Sequence, residues 1–262
     1  MKSIKIYQVD AFTDHLFGGN PAAVCLLENR LGPSQMQAVA AENNLAETAF
    51  VIPVDGSYEI RWFTPTVEVE LCGHATLASA FVLFDRCGFS RDEIVFRSLY
   101  SGELRVRRSE STLFLDFPAD VPVKIPVPDG ISCSIGIIPV AMYRGKSDFM
   151  AVVGSESEVR NIRPDFDAIG KMDARGLIVT APGDEVDFVS RFFGPQSGIN
   201  EDPVTGSAHT TLTPYWSERL GKMELTARQV SARGGNLICH NRGDRIIIGG
   251  EARLYLSGEI FI

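Results

Sequence analysis

The order of apolar and polar residues along the chain predicts many β-strands and few helices. Leu77, Phe81 and Phe84 recur at i, i+4 and i+7, which is the spacing of one face of a helix. Gly73 begins this helix and Gly88 ends it, and few charged residues precede its last turn, so we expect it to be buried inside a curled sheet. Strands are predicted at residues 4–9, 47–52, 58–63, 94–97, 102–107 and 112–117, and helices at residues 33–44 and 73–88.

A shift of 133 residues aligns the second half of the chain with the first. Just upstream, the shift becomes 130 and matches residues 61–65 with residues 191–195. Chance matches among common glycines are the alternative, but helix length and strand order agree as well. We therefore interpret the pattern as a duplication that yields two lobes of similar fold. The matched pairs are Gly73 with Gly206, Ala75 with Ala208, Arg86 with Arg219, Gly88 with Gly221, Ser98 with Ser231, Gly102 with Gly235 and Leu104 with Leu237.

A proline-rich segment at residues 118–128 separates the two repeats. Proline is excluded from helix interiors and central strands, so this segment is predicted to be an extended linker. We therefore place an N-terminal lobe at residues 1–120 and a C-terminal lobe at residues 121–262. The predicted fold class is α+β, with two pseudo-symmetric lobes that each wrap a β-sheet around a central helix.

Composition narrows the class of protein without indicating a function. The 262 residues include 25 Lys and Arg against 33 Asp and Glu, and 45% are hydrophobic, which is typical of a soluble globular protein. The net charge of −8 without basic clusters argues against a nucleic-acid partner or an anionic membrane surface. No apolar stretch could span a bilayer and no secretory signal is visible, so a cytoplasmic location is expected. Five scattered cysteines indicate neither a disulfide framework nor a structural zinc site.

Both repeats place a glycine at the start of their long helix, Gly73 in the first and Gly206 in the second. A helix N-terminus offers unpaired backbone N–H groups and a partial positive charge, and glycine lets a ligand approach the backbone closely. The two helix starts are therefore predicted to bind a carboxylate, although each glycine could simply permit a turn.

Three side chains near these helix starts are candidates for acid–base chemistry. Glu47 begins a predicted strand and has no acidic counterpart in the second repeat, where Gly176 and Leu177 occupy the matching place. His74 lies in the first turn of its helix, where the helix dipole disfavours a protonated imidazole, so a neutral ring is expected. Asp202 precedes a proline in a loop three residues longer than its counterpart. By residue type alone, a solvated glutamate or a plain Asp-Pro turn would explain these positions.

Several well-known motifs are missing from the chain. It has no G-x-G-x-x-G or Walker loop, no H-E-x-x-H zinc motif, and no G-x-S-x-G elbow around Ser207. Nucleotide cofactors, a catalytic metal and α/β-hydrolase chemistry are therefore unsupported, and we expect no cofactor.

Six short motifs follow one another in order along the chain. They are DAFT at 10–13, FGGNPAAV at 17–24, NLAETAF at 44–50, RWFTPTVE at 61–68, CGHATLA at 72–78 and EDPVTGSA at 201–208. Together they resemble the PhzF-like family of phenazine-biosynthesis isomerases and their relatives. The resemblance implies a diaminopimelate-epimerase-like fold with the active site between the two lobes. It also implies an isomerase without a cofactor that is commonly a homodimer.

The motif positions carry the family's site residues onto this sequence. Glu47 corresponds to the acid that transfers the proton, and His74, Asp202 and Ser207 correspond to the other polar residues of the active site. The family's founding activity moves a proton on a cyclohexadiene carboxylate, so the resemblance implies a small carboxylate substrate. The expected substrate-binding residues are Asn20, Cys72, Gly73, Thr205 and Gly206.

One position departs from the related epimerases, which use two opposed cysteines as acid and base. Cys72 occupies the first of these positions, but Thr205 occupies the second, and threonine cannot remove a proton from carbon without an activating base. Three hypotheses therefore stay open: an isomerase that depends on Glu47, an epimerase or racemase that uses Cys72, and a metabolite-binding protein without catalysis. The substrate and the pathway are open in all three.

Overall fold

The computed structural model describes residues 2–262, and this range contains eighteen strands, six α-helices and a 3-10 turn at Pro195–Ser197. The strands are β1 (Ser3–Ala11), β2 (Asn20–Leu26), β3 (Glu47–Val54), β4 (Ser57–Phe63), β5 (Glu68–Val69), β6 (Glu93–Ser98), β7 (Gly102–Ser109), β8 (Thr112–Pro118), β9 (Val123–Ile125), β10 (Ala141–Arg144), β11 (Asp148–Val152), β12 (Gly176–Pro182), β13 (Phe188–Gly194), β14 (Ile199–Asp202), β15 (Glu224–Gln229), β16 (Gly235–Asn241), β17 (Arg245–Gly250) and β18 (Ala252–Phe261). The helices are α1 (Pro33–Asn43), α2 (Gly73–Arg86), α3 (Ile131–Ile135), α4 (Glu156–Asn161), α5 (Phe166–Ile169) and α6 (Gly206–Leu220). None of the helices in the described range is long and apolar enough to span a membrane.

The described chain forms two compact units. The first comprises residues 2–116 with Gly249–Ile262, and the second comprises Phe117–Ile248. The first unit gives way to the second after residue 116, close to the predicted boundary at residue 120. The predicted C-terminal lobe at residues 121–262 is wrong at its C-terminal end, because Gly249–Ile262 belongs to the first unit. The last strand, β18, pairs antiparallel with β1 along its whole length, and these backbone hydrogen bonds hold it in the first unit.

In the first unit, one curled sheet surrounds a buried helix. Strands β18, β1 and β2 are antiparallel, β2 and β3 are parallel, and β4 pairs in parallel with β6, which continues into the β6–β7–β8 meander. Helix α2 packs against β1, β2, β3, β7 and β18, so its surroundings are strands on several sides. This is the buried helix that its apolar composition predicts. Its buried residues are His74, Ala75, Thr76, Leu77, Ala78, Ser79, Ala80, Val82, Leu83 and Phe84.

The second unit repeats this arrangement around α6. Strands β11 and β12 are parallel, β12 and β13 are antiparallel, and β13 pairs in parallel with β15. Helix α6 packs against β15 and β16. On its buried side Trp216 stacks on Phe188 at 5.7 Å between ring centroids, and the indole Nε1 donates to Thr180 Oγ1 at 3.0 Å. The large side chain of Trp216 therefore fills this core, and its one polar group, the indole N–H, has a hydrogen-bond acceptor there.

Helix α6 contains a proline, which normally leaves a carbonyl of the preceding turn without a donor. Pro214 cannot donate to the carbonyl of Thr210, and the backbone N–H of Asp120 donates to that oxygen instead, at 3.2 Å. The Asp120 carboxylate also accepts from Thr211 Oγ1 at 2.7 Å. The segment after β8 thus satisfies the helix at its proline. That segment is not wholly an extended linker as predicted, because β9 within it pairs with β10.

Strand register identifies equivalent positions in the two units. Thr48 of β3 lies opposite Phe63 of β4, and Leu177 of β12 lies opposite Phe193 of β13. One residue earlier, Glu47 and Gly176 are therefore equivalent. The sequence repeat also matches Glu47 with the region of Gly176, and the pairing of β3 with β4 and of β12 with β13 gives this match a structural basis.

Candidate active site

The residues expected in the first half of the site meet where two parallel strands and one helix begin. Glu47 is the first residue of β3 and lies opposite Ala22 of β2, while Asn20 begins β2. Cys72 is the N-cap of α2, and His74 lies in its first turn. Because parallel strands begin at the same edge of a sheet, the packing of α2 on β2 and β3 brings these four polar side chains together.

The imidazole of His74 lies between the other three groups. Its Nε2 is 3.2 Å from Glu47 Oε2, and its Nδ1 is 3.5 Å from Cys72 Sγ and 3.2 Å from Asn20 Nδ2. The side chains of His74 and Glu47 are only 6% and 12% exposed. Neither Nε2 nor Oε2 has a better hydrogen-bond partner within residues 2–262, so each buried polar atom depends on the other.

Electrostatics in this cluster differ from the expectation for His74. Burial by itself lowers the pKa of His74, but the Cys72 sulfur and the Glu47 carboxylate outweigh it and hold that pKa well above its ordinary value. Burial, and then the Glu47 carboxylate, raise the pKa of the Cys72 thiol. This direction is opposite to the one that the helix dipole alone favours, because the contacting Cys72 sulfur and Glu47 carboxylate act more strongly than the partial charge of a helix end.

Glu47, Cys72 and His74 are also the residue types that bind metals, and their ligand atoms lie within 4.8 Å of one another. The geometry does not favour a chelate. One ring nitrogen of His74 faces Cys72 and the other faces Glu47, so no single nitrogen is directed at a point that both partners share. The arrangement suits proton transfer along the imidazole, and we assign no metal to it.

The residues expected in the second half of the site lie around the N-terminus of α6. Thr205 is the N-cap of this helix, and its hydroxyl donates to Asp202 Oδ2 at 2.6 Å. The fully buried side chain of Gln229 accepts from the backbone N–H of Thr205 at 2.9 Å and donates to the carbonyl of Asp202 at 2.7 Å. The loop before Gly206 is therefore fixed by a buried amide that donates and accepts.

Ser207 follows in the first turn of α6. Its Oγ accepts from a terminal nitrogen of Arg175 at 3.0 Å. The Arg175 guanidinium is itself bound by the buried carboxylate of Asp148, with Nε 2.9 Å from Oδ1. Although burial lowers it, the Asp148 carboxylate raises the pKa of Arg175 overall, so this guanidinium is charged.

The structure thus gathers the predicted residues into two clusters, one in each unit. The residues that sequence reasoning missed are Gln229, Arg175 and Asp148. None of the three belongs to a local motif. Asp148 and Arg175 are 27 residues apart in sequence and become neighbours only because Asp148 pairs with Gly176 across the parallel strands β11 and β12. The available signal was the repeat itself, which places Arg175 one residue before the position equivalent to Glu47.

These features define a class: an α+β protein with a duplicated unit, in which a curled sheet surrounds a central helix and polar groups gather at each helix start. This is the diaminopimelate-epimerase-like fold, also found in proline racemases. The chain belongs to the PhzC-PhzF family of phenazine biosynthesis-like proteins, whose model matches residues 9–258. The family and the fold class predicted from the motifs are therefore confirmed.

Relatives span the full length of the chain. An uncharacterized isomerase of Pseudomonas aeruginosa is 49% identical over 259 residues, 99% of each chain. A human phenazine biosynthesis-like domain-containing protein is 41% identical and covers 98% of this chain and 99% of its own. The crystal structure of a PhzF family protein from Enterococcus faecalis has a TM-score of 0.97 at 48% identity and covers 100% of both chains. A hydroxyproline epimerase from Agrobacterium vitis, with a TM-score of 0.64 at 10% identity and coverage of 98% and 92%, shares the fold alone.

Proposed function

We propose that this protein is an isomerase that needs no cofactor and moves a proton between carbons of a small carboxylate. The supporting observation is the buried contact of Glu47 with His74 at 3.2 Å, in a chain whose close relatives are named isomerases. Within residues 2–262 this imidazole is the one ion-pair partner of the Glu47 carboxylate, and a carboxylate in such a setting has the chemistry of a general base. The residue is not duplicated, which agrees with a function specific to one unit.

In the proposed reaction, Glu47 removes a proton from an acidic C–H and returns it at another carbon of the same molecule. His74 holds the carboxylate in place through its Nε2. General acid–base catalysis of this kind contributes about 10²–10⁴-fold to the rate. Proton removal leaves negative charge on the substrate, which oriented hydrogen-bond donors would stabilise.

For the substrate carboxylate we propose the helix starts at Gly73 and Gly206, together with the hydroxyl of Ser207. Asp202 would orient a polar substituent of the substrate, since its loop is fixed by Thr205 and Gln229. Cys72, Asn20 and Thr205 are proposed to complete the binding surfaces of their respective clusters. The expectation from the family resemblance that both clusters serve one substrate stays a prediction, as do the cytoplasmic location and the homodimer.

The test is Glu47→Gln, which keeps the size of the side chain and removes its basicity. Candidate carboxylates, including cyclohexa-2,5-diene-1-carboxylate and L-proline, are incubated in D₂O and followed by NMR for deuterium incorporation. For a compound that exchanges with the native protein, we expect Glu47→Gln to lower the rate by at least about 10²-fold. Binding, measured as a thermal shift, should persist.

A matched control is Glu42→Gln on the exposed side of α1, which should leave the exchange rate unchanged. Full exchange by Glu47→Gln would refute the assignment of the base. Binding of carboxylates without any exchange by the native protein would favour the metabolite-binding hypothesis instead.

An epimerase that uses Cys72 is the second candidate, and the contact of its sulfur with His74 favours it. The raised pKa of the Cys72 thiol argues against it as a base, and Thr205 stands where a second cysteine would be needed. We expect Cys72→Ala to retain proton exchange, because the proposed base, Glu47, is still present in this variant. Loss of exchange and of stereochemical inversion in Cys72→Ala, with Glu47→Gln still active, would establish the epimerase.

A further inference from the structure

The side chain of Ser207 is held from one direction only. Its Oγ accepts an N–H from Arg175 at 3.0 Å, and within the described residues no acceptor is bonded to its own hydroxyl proton. A serine hydroxyl has one proton and two lone pairs. Because one lone pair takes the arginine N–H, the proton of Ser207 points away from Arg175 and remains available to an external acceptor.

Two groups of the second unit, Asp148 and Phe192, contact the guanidinium of Arg175 and restrict its position. Asp148, which is 2% exposed, binds the guanidinium through Nε and one terminal nitrogen, in the bidentate geometry that arginine favours. The ring of Phe192 lies under the guanidinium, with Cζ 5.3 Å from the ring centroid. That ring occupies the space beside Gly176, where an added Cβ would be only 2.4 Å from Phe192 Cζ.

The remaining terminal nitrogen, Nη1, has no partner within residues 2–262. The guanidinium is therefore fixed on one edge and open on the other. A side chain of this length would be disordered in solvent without such restraints, since arginine has much rotamer freedom. Because Asp148 and Phe192 fix the guanidinium, the Arg175 N–H that reaches Ser207 Oγ has a defined direction.

We infer that Arg175 is the positioning residue of Ser207, and that it orients the serine hydroxyl as a hydrogen-bond donor to a carboxylate oxygen. This inference rests on the proposed function, because it concerns the carboxylate that Ser207 would bind. The repeat supports it. Arg175 precedes the position equivalent to Glu47, so each unit directs a charged side chain from this strand start to the second residue of its central helix, Glu47 to His74 and Arg175 to Ser207.

Acetate is the minimal probe, and its binding is followed by the amide chemical shifts of residues 206–208 in ¹H–¹⁵N spectra of the full chain. We expect Ser207→Ala and Arg175→Met each to raise the acetate dissociation constant about tenfold, the effect of one hydrogen bond to a charged group. The double variant should bind no more weakly than either single variant, because both changes remove the same donor. Arg163→Met, at an exposed arginine of the same unit without a partner in the described chain, should have no effect.

Testing Arg175→Met in the Ser207→Ala variant shows whether Arg175 acts by positioning the serine hydroxyl or by attracting the anion with its own charge. If Arg175→Met still weakens acetate tenfold in that background, Arg175 acts on the anion directly and the inference is wrong. Absence of any acetate-dependent shift at residues 206–208 in the native protein would also overturn it. Should Arg175→Met fail to fold because Asp148 is left as an unpaired buried charge, the pair Asp148→Asn with Arg175→Gln replaces it with the same expected result. Glu47→Gln should leave acetate binding intact, so failure of the proposed base and failure of this inference are distinguishable.

Discussion

The two units share a fold but carry different side chains where the matched strand and helix begin. In the first, Glu47 begins the strand and contacts His74 in the first turn of the helix. In the second, Gly176 begins the equivalent strand, and the residue before it, Arg175, contacts Ser207 in the first turn. One unit thus places a carboxylate against an imidazole, and the other places a guanidinium against a hydroxyl. A duplicated scaffold allows this, because each copy holds its helix start and strand start in the same place while the side chains there change independently.

Packing explains why the carboxylate could not occur in both units. Glu47 is partly buried beside its partner, whereas a side chain at Gly176 would run into Phe192 and the carbonyl of Phe193, at 2.4 Å and 2.8 Å from an added Cβ. The space beside the strand start that the Glu47 side chain uses in the first unit is filled by an aromatic ring in the second. That ring in turn supports Arg175.

The largest effect is expected at the duplicated ion pair. Arg191 binds Glu201 and also donates to the carbonyls of Val159 and Ile162, with its side chain 11% exposed. Arg191→Met leaves a carboxylate and two carbonyls without their donor, and should lower the free energy of unfolding by about 3–5 kcal/mol. Urea unfolding followed by fluorescence measures this loss.

The equivalent Arg61 is the matched control. Within residues 2–262 its guanidinium hydrogen-bonds Glu68 and no backbone carbonyl, and its side chain is 27% exposed. Arg61→Met should therefore cost about 1 kcal/mol or less. Equal losses at the two positions would contradict the view that buried carbonyl partners distinguish the units.

A methyl group at Gly176 tests the packing difference directly. Gly176→Ala forces Phe192 and the adjacent backbone to move, and we expect a loss of about 3 kcal/mol in the free energy of unfolding. Gly258→Ala, where nothing lies within 4 Å of the added Cβ, should change stability by less than about 0.5 kcal/mol. A Gly176→Ala protein as stable as the native one would show that the space for a side chain exists in both units.

The last comparison has no effect at neutral pH and develops only in acid, and it sets His209 beside its equivalent, Thr76. Both side chains hydrogen-bond the carbonyl of the N-cap residue of their helix, His209 through Nδ1 at 2.8 Å and Thr76 through Oγ1 at 2.6 Å. Burial lowers the pKa of His209 to about 4. An unfolded histidine has a pKa of about 6.5, so below that pH the unfolded chain binds a proton that the folded chain does not.

The contribution of His209 to stability is therefore complete above about pH 6.5 and declines as the pH falls towards 4, by up to about 3 kcal/mol. His209→Thr, which copies the first unit, should flatten the pH dependence of urea unfolding over this window, whatever it does to stability at pH 7. An unchanged slope would mean that His209 is not the group that titrates. His74 has the opposite sign, because its raised pKa gives stability that is lost only as the pH rises through the folded value.

Local signals in the sequence predicted the central helices well. Predicted helices beginning at Gly73 and Gly206 match α2 and α6, since a glycine start, an apolar face and a terminating Gly88 or Gly221 all lie within one segment. The family motifs likewise identified Glu47 and His74, which the fold brings into contact. In contrast, the direction of the pKa shift of His74 did not follow from the helix dipole, because the contacts of its ring with Cys72 and with Glu47, 27 residues away, are set by the tertiary structure.

What the sequence determined by itself is therefore the repeat, the central helices and the residue types at each helix start, since these depend on neighbours within a few positions. The tertiary structure decided which distant groups meet: β18 with β1, Gln229 with the loop before α6, and Arg175 with Ser207. Contacts of this kind follow from strand register and side-chain volume, and a single buried ring such as Phe192 can redirect a charged side chain. The division of roles between the two units is consequently a property of packing that no local motif carries.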